Sequence, residues 1–264
     1  MKKKIGFALG AGGARGIAHI GFLQAMEENG IYPDYIAGSS MGSILGACYA
    51  AGMKPEKMRE TLLGMKASTI VDLGLLPVSR KGFLKWDKTR AFLEKLVPAR
   101  TFSDLKIPLT CVSVDLKTGG LCAISEGDLW DAVLASGSIP AVFRPVESEG
   151  RLLVDGGVLC RVPVKQVKEM GADVTVAVDV IGRGQPEEKI GNTIMVILRT
   201  YDIMNETMTA RQKEEYAEIC DVWLEPEMGD LSQYKIKYYP EAYDAGYKAG
   251  REQAERIRRL AGIE

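Results

Sequence analysis

The sequence predicts an α/β protein built on a mainly parallel central sheet, and three observations carry that prediction. The first fifty residues alternate strand, helix, strand, helix, the opening of a parallel sheet, because parallel neighbours must be joined by a crossover. Both early strands stop at glycine-rich turns, Gly10-Ala11-Gly12-Gly13 and Gly38-Ser39-Ser40-Met41-Gly42. Residues 174–180 then form an apolar run of the kind seen in strands buried on both faces. With 264 residues, 46% of them hydrophobic, the chain can fill one large core, and 1–264 reads as one domain.

Residues 4–9 form a short apolar run ended by glycines, which is a buried strand. From Ala14 the apolar residues take up a helical period: Ile17, Ile20, Phe22, Leu23 and Met26 gather on one face, and Asn29-Gly30 ends the helix. Residues 35–37 are a second strand, followed through the glycine-serine turn by an apolar helix at 44–51. The stretch 61–97 is less regular, with leucines interrupted by Gly74, Pro77 and Gly82. It reads as a helical, cap-like insertion at about 54–100, with a clear helix only at 87–96. Strands are expected at 109–114, 121–124 as its hairpin partner, 152–154, 174–180 and 222–224. Helices are expected at 129–135, 194–216 and 241–260.

Composition excludes several classes of function. Thirty-four Lys and Arg against 35 Asp and Glu leave a net charge of −1, and no basic block or zinc-finger spacing points to nucleic acid. Cys48, Cys111, Cys122, Cys160 and Cys220 are odd in number and widely spaced, with no CxxC pair. They read as thiols in a reducing, cytoplasmic setting, neither a disulfide framework nor a zinc site. Lys2 to Lys4 followed by an apolar run imitate a signal peptide, but that run is glycine-rich and broken by Arg15, as suits a strand entering a loop. No run of eighteen apolar residues is present, so no transmembrane segment is expected and membrane contact would be peripheral.

The sharpest chemical signal is Gly38-x-Ser40-x-Gly42 between a strand and a helix. A serine there sits on a tight turn with its hydroxyl pushed out at the C-terminal edge of the sheet, facing the positive end of the next helix. The bland alternative is a turn that merely joins strand to helix. Gly10-x-Gly12-x-x-x-Gly16, with Ala11 and Arg15 inside it, is close to a dinucleotide fingerprint. That reading expects a carboxylate at the end of the second strand, which instead ends in Ala37-Gly38-Ser39-Ser40. The same loop suits an oxyanion hole, with the Gly12 and Gly13 N–H groups as donors. The only histidine, His19, lies upstream of Ser40, so the order Ser, acid, His is impossible. A packed helical histidine is the default for it. If Ser40 is a nucleophile, a carboxylate must take its proton. Asp155, ending an apolar strand before Gly156-Gly157, is the candidate, with partial burial needed to raise its pKa. The stretch 135–145, Ala-Ser-Gly-Ser-Ile-Pro-Ala-Val-Phe-Arg-Pro, reads only as a structured loop, and Arg144 in it as a solvated surface residue.

In this order the four pieces resemble the patatin-like phospholipase family: the glycine loop with Arg15, the elbow around Ser40, the 135–145 stretch, and Asp155-Gly156-Gly157. The resemblance covers Gly6 to about Val180 and is nearest the small bacterial members related to the neuropathy-target-esterase catalytic domain. It implies a three-layer α/β/α fold, a Ser–Asp dyad without histidine, and hydrolysis of fatty-acyl esters, phospholipid or lysophospholipid, with no metal or cofactor. Other relatives carry an acidic residue and three glycines in the first loop; here Ala11 stands among the glycines, still offering a backbone N–H. The segment 61–86 becomes a candidate acyl-chain groove or moving lid, or simply a cap completing the core. A soluble carboxylesterase or thioesterase of the same fold, and a non-catalytic acyl-binding module, are the alternatives.

Overall fold

The computed structural model describes residues 3–64, 86–182, 190–229, 231 and 239–263. In chain order the elements are β1 (Ile5–Leu9), α1 (Ala18–Glu28), β2 (Tyr35–Ser39), α2 (Met41–Ala50), α3 (Pro55–Leu63) and α4 (Asp87–Leu96). Then come β3 (Leu109–Asp115), β4 (Gly120–Ile124), α5 (Leu129–Ser136), β5 (Val146–Ser148), β6 (Arg151–Asp155) and α6 (Val164–Glu169). The described chain closes with β7 (Val174–Val178), α7 (Thr193–Glu215), β8 (Val222–Leu224) and α8 (Tyr239–Ala261).

Strand order is β5-β6-β3-β2-β1-β7-β8, with β4 paired to β3 off that path. The five strands β3, β2, β1, β7 and β8 run parallel. β4 and β6 run antiparallel to β3, and β5 antiparallel to β6. The sheet is therefore mixed, with a parallel middle and an antiparallel flank. Alternation along β1 sets the layers. Ile5, Phe7 and Leu9 enter the large core shared with α1, α2 and α8. Ala8 joins Ala37 and Ala177 on the other face under Val164 and Val167 of α6.

The α1–α8 pair is unusually close. A Cβ on Gly21 of α1 would lie 2.0 Å from the Tyr243 carbonyl oxygen, and one on Gly246 of α8 would lie 1.9 Å from the Ala18 carbonyl oxygen. Each helix offers a glycine to the other's backbone.

Three local features depart from the sequence reading. The first helix does not start at Ala14: Gly13–Ile17 wind as a 3-10 turn, with Arg15 N–H donating to Gly12 O at 3.0 Å, and α1 begins at Ala18. The short elements β5 and α6 were not foreseen, having too few residues to show a period. In the expected insertion, α3 and α4 place Met58 and Leu93 in the main core, while 65–85, including most of the groove or lid candidate, lie outside the described residues.

One register detail positions the site. β4 pairs with β3 from Cys111 to Asp115, which occupies one edge of that strand. A strand has two edges, so β2 and β6 share the other. β2 fills it as far as Ser39 opposite Val112, and β6 takes over with Asp155 opposite Ser113. The two strands meet nose to nose at adjacent residues of β3, which brings the end of one beside the end of the other.

Candidate active site

Ser40 is the single residue between β2 and α2, and its backbone has φ 53° and ψ −122°. A non-glycine residue in such a conformation costs on the order of 1–3 kcal/mol and persists only where its surroundings impose it. The close fit of the turn imposes it here. A Cβ on Gly42 would lie 2.1 Å from Leu9 O, and one on Gly38 would lie 2.6 Å from Ser43 Cα. The bend holds Ser40 at the C-terminal edge of the sheet, at the N-terminus of a ten-residue helix.

There Ser40 Oγ donates to Asp155 Oδ2 at 2.6 Å, across 115 residues of chain. Both side chains are buried, at 5% and 2% exposure. Gly157 N–H donates to Asp155 Oδ1 at 2.7 Å, and Asp155 N–H donates to Ser138 O at 2.9 Å. Burial pushes the Asp155 carboxyl up to about 7, against the opposing pull of the Ser40 and Gly157 hydrogen bonds. The carboxyl is thus poised between acid and base near neutral pH. His19 is elsewhere engaged. Its Nε2 lies 2.7 Å from Gly10 O, and since a carbonyl only accepts, Nε2 carries the proton. Nδ1 is buried without a partner, and burial lowers the ring pKa to about 4. His19 is a neutral packed side chain that holds the start of the glycine loop.

The loop itself divides its N–H groups. Gly10 N–H donates to Val178 O at 3.0 Å and Ala11 N–H to Arg161 O at 2.9 Å. Ala11 N–H is therefore already used, contrary to the expectation that it stays available. Gly12 and Gly13 N–H make no hydrogen bond among the described residues. Gly16 rests on the residue after Ser40: a Cβ there would be 2.3 Å from Met41 Cγ. Arg15 is buried, with Nε donating to Leu231 O at 2.5 Å and Nη1 to Ile181 O at 2.9 Å, and so ties the loop to neighbouring segments. Beneath the loop, Arg161 pairs with Asp179 at 2.8 Å, both buried.

A family model described as patatin-like phospholipase matches residues 7–168. The chain belongs to the patatin-like phospholipase family. It is 38% identical over 179 residues to an uncharacterized NTE family protein of Mycobacterium bovis, covering 68% of this chain and 49% of that one. It is 28% identical over 287 aligned positions to the lysophospholipase NTE1 of Coccidioides immitis, covering 99% of this chain and 18% of that one. The chain thus spans about half or less of the length of these relatives. Among solved structures, VipD of Legionella pneumophila superposes with a TM-score of 0.57 at 16% identity, covering 98% of this chain and 67% of that one, which is a likeness of fold.

The segment that sequence reasoning undervalued in this patatin-like chain is 136–145. Ser136 Oγ accepts from Ser40 N–H at 2.9 Å and lies 2.7 Å from Ser43 Oγ. Ser138 holds Asp155 through its carbonyl, while its Oγ accepts from Trp86 Nε1 at 2.8 Å. Two serines spaced two apart after an apolar helix were the available signal, but neither contact is local. Trp86 also stacks on Phe143, 3.9 Å between ring centroids. Arg144 is exposed, as expected of a solvated residue. Among the described residues, no three His, Cys, Asp or Glu side chains are grouped to hold a metal ion, and none of the helices is long and apolar enough to cross a membrane.

Proposed function

We propose that the chain is a serine lipid acyl hydrolase acting through a Ser40–Asp155 dyad and an acyl-enzyme. The observation that carries this reading is the 2.6 Å hydrogen bond between Ser40 Oγ on its strained bend and a buried carboxyl raised to about 7. Asp155 Oδ2 takes the Ser40 proton as Oγ attacks the ester carbonyl carbon. The Gly12 and Gly13 N–H groups receive the oxyanion, each donor contributing about 3 kcal/mol by analogy with other oxyanion holes. The carboxylic acid so formed gives its proton to the departing alcohol. Asp155 then takes a proton from water as its oxygen attacks the acyl-serine carbonyl, and returns that proton to Ser40 Oγ as the Oγ–acyl bond breaks and the fatty acid leaves. Every proton passes through one carboxyl, and the scheme requires no metal or cofactor.

Family membership, together with relatives named as lysophospholipases, supports a phospholipid or lysophospholipid as the acyl ester, in a reaction of the phospholipase A or lysophospholipase type. In this reading 1–264 act as one hydrolase domain, cytoplasmic, with peripheral contact to lipid. The test is labelling by a fluorophosphonate with mapping of the adduct, followed by assay on a lysophospholipid. An adduct on Ser40, and loss of both labelling and turnover in Ser40→Ala, are expected. Turnover surviving in Ser40→Ala ends the proposal. A preference for short acyl esters, with no gain above the micelle concentration, moves the substrate to soluble esters or thioesters.

A further inference from the structure

Six of the nine exposed large apolar side chains among the described residues lie in one short stretch: Ile190, Ile194, Val196, Ile197, Ile203 and Met204. Five of them belong to α7. At 100° per residue they spread over the outward half of the helix, interleaved with the exposed Thr193, Thr200 and Thr207. The charged residues of this stretch, Arg199, Asp202 and Glu206, are spaced three and four apart and share one flank. Leu198, Asn205 and Thr209 turn inward. The outer face is apolar and uncharged for about four turns, a concentration that a solvated helix does not need.

Its location says what it faces. Tyr201 Oη stands where a side chain on Gly157 would begin, 2.8 Å from a Cβ built there, and that same point is 2.9 Å from Asp155 Oδ1. Met195 and Leu198 pack with Val142, Phe143 and Trp86, the cluster over the loop that holds Asp155. α7 therefore passes beside the catalytic edge of the sheet, with Tyr201 and Leu198 on the side nearest the loop that holds Asp155.

We infer that the outer face of α7 docks the protein on a lipid surface, with the catalytic edge of the sheet beside it. This rests on the proposed lipid acyl hydrolase activity, since the occupant is identified as the aggregate in which such a substrate resides. Aliphatic and Met side chains with threonines suit the boundary between acyl chains and headgroups. Over the four turns from Thr193 to Thr207 the face carries no charge, and Arg211, Glu214 and Glu215 continue the same side only beyond them, so attachment through the apolar part does not depend on anionic lipid and survives high salt.

The experiment uses the full chain carrying Ser40→Ala, so that vesicle lipid is not consumed, with and without the pair Ile197→Asp and Met204→Asp. Both added sites are exposed, and equal thermal midpoints verify that the fold is kept. Co-sedimentation with phosphatidylcholine vesicles is expected to weaken at least tenfold in the doubly charged variant, and binding by the parent is expected to be unchanged at about 1 M salt. In the Ser40 enzyme the same pair is expected to lower hydrolysis of micellar lysophospholipid by a similar factor, with turnover of a short water-soluble ester unchanged. Fluorophosphonate labelling of Ser40 reports separately on the catalytic proposal. No vesicle binding by the parent, or undiminished binding by the variant, overturns the inference. So does a parent dimer that the variant breaks into monomers, because the face then belongs to a second copy.

Discussion

At the scale of single residues, the chemistry depends on how one carboxyl is kept. In the proposed dyad Asp155 must be ionised to accept the Ser40 proton, and its pKa is raised to about 7. Activity on a soluble ester is therefore expected to rise with pH, to be half-maximal near pH 7 in kcat/KM, and to level off above it. A profile already flat from pH 5 upward would mean that Asp155 is ionised there and does not govern the rate. Ser136 offers a second test. Removing its hydroxyl by Ser136→Ala leaves the buried Ser40 N–H without its acceptor, a loss of about 1–3 kcal/mol in stability. A parallel fall in kcat is expected, because the strained bend is then less firmly held. His19 acts on the glycine loop through its Nε2 proton. His19→Phe is expected to lower kcat with little change in KM, and His19→Gln, which keeps an N–H donor, to recover part of it. Ser40 and Asp155 were legible in the sequence because each stands at a strand end flanked by glycines. Ser136 was not, because its importance lies in a hydrogen bond spanning 96 residues.

At the scale of elements, what the sequence revealed follows from length and burial. β1 and β7 are buried along their whole length and stand out as apolar runs, and α4 occupies the stretch its amphipathic pattern marks. β5, with three residues, and α6, with six, are too short for a pattern to show. The 3-10 turn before α1 escaped notice for another reason: its winding is set by Gly16 lying against Met41, a contact between segments. The closeness of α1 and α8 was also hidden, since glycines inside a helical pattern suggest weakness until their neighbours are known. Gly246→Ala tests that packing. Its new methyl would meet the Ala18 carbonyl at 1.9 Å, and overpacking of this kind costs about 1–3 kcal/mol or more. A fall of several degrees in the thermal midpoint is expected, with the helices forced apart.

At the scale of the whole molecule, two buried groups pull stability in opposite directions with pH. Asp155 holds its proton up to about 7 when folded and only to about 3.8 when unfolded, where the usual value applies. The stability it provides is present in full at low pH and is lost as pH rises through 7. His19 is neutral down to about 4 when folded, while the unfolded ring takes a proton near 6.5. Its contribution is present above that value and is lost as pH falls towards 4. The two slopes largely cancel across the window they share. Asp155→Asn removes one of them, so the variant should gain on the native protein by up to about 4 kcal/mol between pH 4 and pH 7. Thermal midpoints of the two proteins across that range check the gap, and a gap that stays constant would mean that Asp155 titrates normally in the fold.

The shared edge of β3 also divides the proposed dyad between two pieces of the chain. Everything up to Asp115 carries the alcohol, everything from Gly120 carries the acid, and the exposed residues 116–119 join them. A protease cut in that joint should leave a working enzyme for as long as the fragments stay docked, because no atom of the dyad is touched. Raising urea should then extinguish turnover at the concentration where the fragments separate. The nicked chain would become a complementation reporter, its catalysis reading out whether β6 has found its place beside β2.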